Sequence, residues 1–291
     1  MRFSYAESMT DPSYYVPLAQ AAEDAGYDSM VVPDSICYPR DSQTQYPFNP
    51  DGTREFLEDK PFIEPFSLIP AMGALTERLR FVTFVIKLPI RQPVLIAKQV
   101  SSTAVLTNNR LLLGVGTSPW PEDYAACGVP WERRGKRMDE EIAIMRGLMA
   151  GDYFEFQGEI FQIPAIKMSP TPTAPVPILI GGHHEAALRR AAALGDGWLH
   201  GGGDPTDLPA LLDRLAELRR EQGTENKPFE IHVISPDAYS ADGARRLEEA
   251  GVTDAIVGFR WPYGREQDTE TLQTKVDNLR RFADDVIAKV R

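Results

Sequence analysis

Two glycines and two histidines stand together in PILIGGHHEAALRR, at residues 181–184, and they allow two kinds of chemistry. Gly181 and Gly182 let a ligand approach the backbone closely. If a helix follows them, its first amides lack partners and carry the positive end of the helix dipole, which attracts an anion and phosphate above all. The alternative is a metal held by His183 and His184. Adjacent side chains face opposite ways on a strand and do not stack on a helix as an i,i+4 pair does. The chain also lacks HExxH, and no HxH occurs on the first apolar segment. A metal site is therefore not expected, and a metal-dependent hydrolase lacks its ligands. The glycine pair can also be read as nothing more than a tight strand-to-helix turn.

The elements that must position these residues alternate along the whole chain. Strands are predicted at 3–6, 29–32, 79–88, 110–115, 177–180, 197–200, 230–234 and 254–259, each followed by a segment of helical periodicity. Continuous apolar runs such as RLLLGV, residues 110–115, fit parallel strands covered on both faces. Eight strand-helix units in a chain of 291 residues predict an α/β fold of the (β/α)8 TIM-barrel type, a single domain over 1–291. The first strand, RFSYAESMTD, has no glycine-rich dinucleotide fingerprint after it, which argues against an open doubly wound sheet. Two insertions absorb the excess length. One is the Pro-, Asp- and Tyr-rich segment 33–65 after the second strand, and the other spans residues 151–175.

Composition narrows the function classes. A net charge of -11 disfavours nucleic acid and anionic membrane surfaces, both of which need clustered positive charge. Cys37 and Cys127 are the only cysteines, as expected of a reducing compartment, and no stretch approaches the ~18 apolar residues of a membrane span. A cytoplasmic protein handling a small molecule is the expectation.

The blocks LRFVTFVIKLPIRQPVLIAKQV, RLLLGVGTSPWPEDYAACGVPWERRGKRMDEEI and PILIGGHHEAALRRAAALGDGWL, in this order, resemble the luciferase-like monooxygenase superfamily. Within it they look most like actinobacterial deazaflavin oxidoreductases that use coenzyme F420. The resemblance implies a barrel whose C-terminal mouth holds a flavin or deazaflavin ring. It places Thr83, Phe84 and Val85 at a bulge behind the ring, often with a cis peptide, and Thr117, Ser118 and Glu122 beside the ring or the cofactor side chain. Gly181, Gly182 and His183 match the segment that receives the phosphate, and Asp34 matches an acidic position at the ring's polar edge. Asp34, Glu122 and His200 are the candidate catalytic residues, and Tyr38 and Tyr46 are further candidates for a proton donor. Lys87 and Arg91 could meet an acidic cofactor tail or face water. The sugar-phosphate dehydrogenase branch has a histidine and a glutamate where this chain has Ser35 and Pro119, so that chemistry is not expected. The reading is an F420-dependent oxidoreductase transferring hydride at deazaflavin C5, with segment 35–64 as lid. Its alternatives are an FMN-dependent monooxygenase and a non-catalytic cofactor-binding protein. Relatives commonly dimerise, so a homodimer is expected.

Overall fold

In the computed structural model, which describes residues 1–42, 44–46, 49 and 52–291, the predicted apolar runs form parallel strands in one sheet. These are β1 (Arg2–Ala6), β2 (Ser29–Val32), β3 (Arg80–Thr83), β4 (Ile86–Lys87) and β5 (Leu111–Gly116), then β8 (Ile178–Gly181), β9 (Gly197–Leu199), β10 (Glu230–Ile234) and β11 (Asp254–Val257). Between them, β6 (Phe154–Gln157) and β7 (Gln162–Ile166) make a separate antiparallel hairpin in the second insertion. The large sheet closes: its order runs β3-β2-β1-β11-β10-β9-β8-β5-β4, and β3 also pairs with β5. With β3 and β4 sharing one position, eight strands ring the barrel in the predicted TIM topology.

Around the ring lie helices α1 (Tyr15–Asp24), α2 (Pro65–Gly73), α3 (Pro93–Leu106), α4 (Pro121–Ala126), α5 (Arg134–Met149), α6 (Glu185–Leu194), α7 (Leu208–Glu221), α8 (Ala241–Glu249) and α9 (Leu272–Phe282). Side-chain caps fix several starts, among them Glu64, Gln92, Ser240 and Thr271, each accepting an amide of the first turn. Two details depart from expectation. Helix α4 is an additional element after β5, and the predicted final helix is interrupted by a π-turn at Ala283–Ile287.

The core divides at the strands. Outward side chains such as Leu111, Leu113 and Val115 of β5 pack against the helices in the larger cluster. Inward ones form a smaller cluster of Val31, Val82, Leu112, Leu179, Leu199 and Ile256 inside the barrel. The predicted strand at 79–88 is broken in two. Phe81 pairs with Leu111 but Ile86 pairs with Val115, so five residue steps on one strand span four on its neighbour. That mismatch is a bulge at Thr83–Val85, and the Phe84–Val85 peptide within it is cis.

Candidate active site

Inward positions of β5 run Leu112, Gly114, Gly116, losing bulk toward the C-terminal mouth, and the bulge takes up the room. A Cβ on Gly114 would fall 1.9 Å from the Thr83 carbonyl oxygen, and one on Gly116 would fall 3.0 Å from Val85 Cγ2. On β8, the next strand beyond β5, a Cβ on Gly181 would lie 2.9 Å from Val85 Cγ1. Val85 is therefore seated between two strands that keep glycine for it. Thr83 is fully buried beneath, its hydroxyl donating 2.8 Å to the Gly114 carbonyl; its place is to hold the bulge. Phe84 and Val85 remain partly exposed and, with Ala6 and Ile234, cap the inner core as an apolar floor.

The rim after β8 is the glycine-histidine stretch. Gly182 has φ +126, a conformation L side chains rarely adopt, and its amide stays in the ladder toward Leu199 O at 3.4 Å. His184 caps α6 without a side-chain bond, and the first intrahelical bond is Ala187 N to His184 O. The amides of Glu185 and Ala186 precede that bond and face out of the helix start. Glu185 is turned to Arg214 and Arg189, at 2.8 and 2.7 Å, which neutralise it. His183 and His200 stack with centroids 4.4 Å apart, tilted 11°. Gly201 N donates to His183 Nε2 at 3.1 Å, and Gly202 N donates to His200 Nδ1 at 3.4 Å. Burial, joined by its histidine neighbour, pushes His200 down to about 4, and burial also lowers His183. Both rings are neutral at pH 7 and act as acceptors that hold the glycine loop.

The carboxylates at the mouth are committed to cations or hydroxyls. Asp34 accepts from Arg91 at 3.0 Å and from the Lys87 amide at 3.0 Å. Lys87 Nζ is bonded to Asp123, which is fully buried, and Arg54 reaches Asp123 and Glu122 at 3.9 and 3.5 Å. Lys87 and Arg91 therefore turn inward to partners and do not face water. Glu122 accepts from Ser42 at 2.8 Å and from Thr44 at 3.0 Å. Burial opposes its ionisation, but those hydroxyls, its own amide and Arg54 outweigh burial and lower its pKa. An ionised acceptor that fastens the 33–64 segment is a poor proton donor. Thr117 and Ser118, partly exposed at the mouth, begin the loop in which Tyr124 donates to Thr117 O and Trp120 N donates to Ser118 Oγ. Tyr38 is partly exposed on the same segment as Ser42.

Across the mouth lies an aromatic roof whose contacts the sequence did not reveal. Tyr46 stacks on Trp120 at 5.1 Å and meets Tyr263 edge-on at 5.7 Å, while Phe56 meets Tyr263 at 4.9 Å. Trp120 follows β5 and Tyr263 follows β11, and these strands stand opposite each other in the ring. Tyr46 therefore bridges the mouth. The second group missed from sequence sits at the far end of the barrel, where Glu230, His232 and Asp254 place ligand atoms within 4.8 Å of one another. Arg2 and Arg80 already occupy those carboxylates, with contacts of 2.6 to 3.1 Å. His232, Arg80 and Arg2 override burial and hold Glu230 down at about 2, as in a closed ion cluster.

A closed parallel barrel with a bulged third position and a glycine rim after β8 defines a class, and residues 2–283 match the luciferase-like monooxygenase family; the chain belongs to it. An uncharacterized protein of Mycobacterium tuberculosis (strain ATCC 25618 / H37Rv) is 62% identical over 290 residues, covering 100% of both chains. The F420-dependent glucose-6-phosphate dehydrogenase of Gordonia bronchialis is 28% identical, over 84% of this chain and 70% of its own length. The crystal structure of a monooxygenase from Streptomyces bottropensis superposes over 100% of both chains with a TM-score of 0.76 at 16% identity, a likeness of fold. No helix among the described residues is long and apolar enough to cross a membrane.

Proposed function

We propose that this protein is an F420-dependent oxidoreductase. The observation that carries the reading is the Val85 seat. Gly116 and Gly181 give up their side chains to it, and the result is an apolar floor of Val85 with Phe84, Ala6 and Ile234. The floor fits the ring, and the α6 amides of Glu185 and Ala186, with Gly182 behind them, fit a phosphate. Phe84 and Val85 would lie under the ring, while Thr117 and Ser118 flank it. A bound deazaflavin supplies hydride exchange at C5.

The chain's own residues orient, exclude water and handle the proton. Asp34, spent on Arg91, positions the bulge through the Lys87 amide. His183 and His200 hold the glycine loop. Of the proton-donor candidates, Tyr46 alone spans the mouth. Burial pushes its hydroxyl well up, helped by Tyr263. Tyr46 is the donor in this reading. Sugar-phosphate oxidation, the activity named for the Gordonia relative, lacks its histidine here because Ser35 follows Asp34.

Fluorescence titration with F420 and with FMN tests the cofactor. Saturable F420 binding that weakens at least tenfold in Ala186→Glu, where an exposed position gains a charge at the helix start, supports the reading. Tight FMN binding with no F420 binding overturns it in favour of a monooxygenase. Tyr46→Phe is expected to lower kcat by about 10²- to 10⁴-fold with KM little changed.

A further inference from the structure

We propose that Cys37 and Cys127 form a redox-sensitive thiol pair, and that a hydroperoxide joins them in a disulfide that staples the 33–64 segment to α4 at the mouth. The pair goes beyond the cofactor reading and stands on its own geometry.

The chain has two cysteines, and the fold brings both to one residue, Asp123. Cys37 Sγ lies 3.9 Å from Asp123 Oδ1. Cys127 ends α4 four residues after Asp123, its amide donating to the Asp123 carbonyl at 3.1 Å. Residues four apart on a helix stand one above the other, with Cβ atoms about 5–6 Å apart. The carboxylate that reaches Cys37 and the Cys127 side chain therefore share a face of α4. Cys127 is also among the groups that raise Cys37, so the two sulfurs are within electrostatic reach. In the ring, β3 stands between β2 and β5. Cys37 lies beyond the end of β2 and Cys127 beyond the end of β5, so a bond between them would cross the intervening rim.

Both thiols are free and exposed, open to a small oxidant in water. Residues 33–42 lie in no helix or strand. Asp34 ties the start of that stretch to the Lys87 amide at 3.0 Å, and Ser42 ties its end to Glu122 of α4 at 2.8 Å. Cys37 thus sits on an irregular span held beside α4 at both ends, which can adjust to the Cα separation of roughly 4.4–6.8 Å that a disulfide needs.

The surroundings set the rate. Burial and then Asp123 raise both thiols; Lys87 and Arg54 oppose this at Cys37, while at Cys127 Arg91 and Lys87 oppose it and Asp34 adds to it. The thiolate is the reacting form, so oxidation is slow at pH 7 and quickens as pH rises. With hydrogen peroxide, one thiolate attacks an oxygen, the O–O bond breaks, and a sulfenic acid forms as the released hydroxide takes the thiol proton and leaves as water. The second thiolate attacks the sulfenic sulfur, forming S–S and releasing a second hydroxide, which leaves as water with the second thiol proton. The two sulfurs together lose two electrons and the peroxide gains them.

The reduced full chain is treated with hydrogen peroxide at pH 7 and pH 8. The thiol titre should fall to zero, the mass should drop by two hydrogens, and a non-reducing digest should yield one peptide pair joined at Cys37 and Cys127. Dithiothreitol should reverse all three changes, and the reaction should run about tenfold faster at pH 8. Asp123→Asn, checked for native circular dichroism, should quicken it at pH 7 at least threefold by removing the opposing carboxylate. Cys37→Ser and Cys127→Ser should each stop at a sulfenic acid that dimedone traps. Tryptic cleavage after exposed Arg40, three residues from Cys37, should be at least fivefold slower in the oxidised protein than in the reduced one. Sulfur acids with no joined peptide, or a link only between two chains, overturns the pair. A joined pair with unchanged cleavage at Arg40 overturns the staple. F420 titration of the same samples reports separately on the cofactor reading, so a protein that links the pair yet binds no F420 refutes that reading alone.

Discussion

Single side chains at this mouth are governed by what they are paired with more than by their type. Asp34, Glu122 and Lys87 look like chemistry in the sequence, yet each is satisfied by a neighbour, and their work is to hold loops. Glu141 is the reverse. It sits fully buried on α5, and neither carboxylate oxygen has a hydrogen-bond partner among the described residues. Burial pushes it up to about 9, only partly countered by Arg137 and Arg91, so it is neutral at pH 7. Its folded pKa lies above the unfolded value near 4.5. Its contribution is therefore intact below about pH 4.5 and is lost progressively as pH rises toward 9. Glu141→Gln keeps the shape without the titration. We expect it to raise unfolding free energy at pH 7 on the order of 2–3 kcal/mol and to leave stability at pH 4 unchanged, as read from urea midpoints at the two pH values.

At the scale of elements, the bulge and β5 are one device. Gly114 is its tightest point, because a methyl there would stand 1.9 Å from the Thr83 carbonyl oxygen and 2.5 Å from Leu199 Cδ1. The nearer obstacle is backbone, which cannot rotate aside. Gly114→Ala should cost about 1–3 kcal/mol or more and displace the floor, so that thermal midpoint and F420 affinity fall together. A change confined to stability would detach the bulge from the floor. Much of this element was legible beforehand. LLLGVG announces a parallel strand because a strand covered on both faces needs apolar residues at successive positions, and the resemblance placed the bulge at Phe84 and Val85. The register slip was not legible, since Thr83–Lys87 reads as ordinary strand until its neighbour is known. Nor was the roof: Tyr46, Trp120 and Tyr263 are far apart in sequence and meet only because the ring places β5 opposite β11. The histidines were legible as a rim, but their neutrality follows from burial and from the stacking that adjacent strands create.

The molecule as a whole has two unlike ends, and the contrast predicts how each responds to change. At the mouth the barrel interior ends in a partly exposed apolar floor; at the other end it is closed by Arg2, Arg80, Glu230, His232 and Asp254, with Asp254 fully buried. Buried pairs gain little over an apolar plug, but removing one partner strands the other charge. Arg80→Met should therefore destabilise by about 3–5 kcal/mol without altering F420 affinity, because the loss sits at the far end of the barrel from the floor. Salt should change the wild-type midpoint little, since screening acts weakly on buried pairs. The two carboxylates that Arg80 neutralises, joined by His232, form a donor set suited to zinc. In the wild type the guanidinium groups hold that place. Stoichiometric zinc should accordingly leave the wild-type melting temperature unchanged and raise that of Arg80→Met, since a ligand that binds only the folded state stabilises it. A zinc-induced rise in the wild type would show that the arginines do not close this end of the barrel.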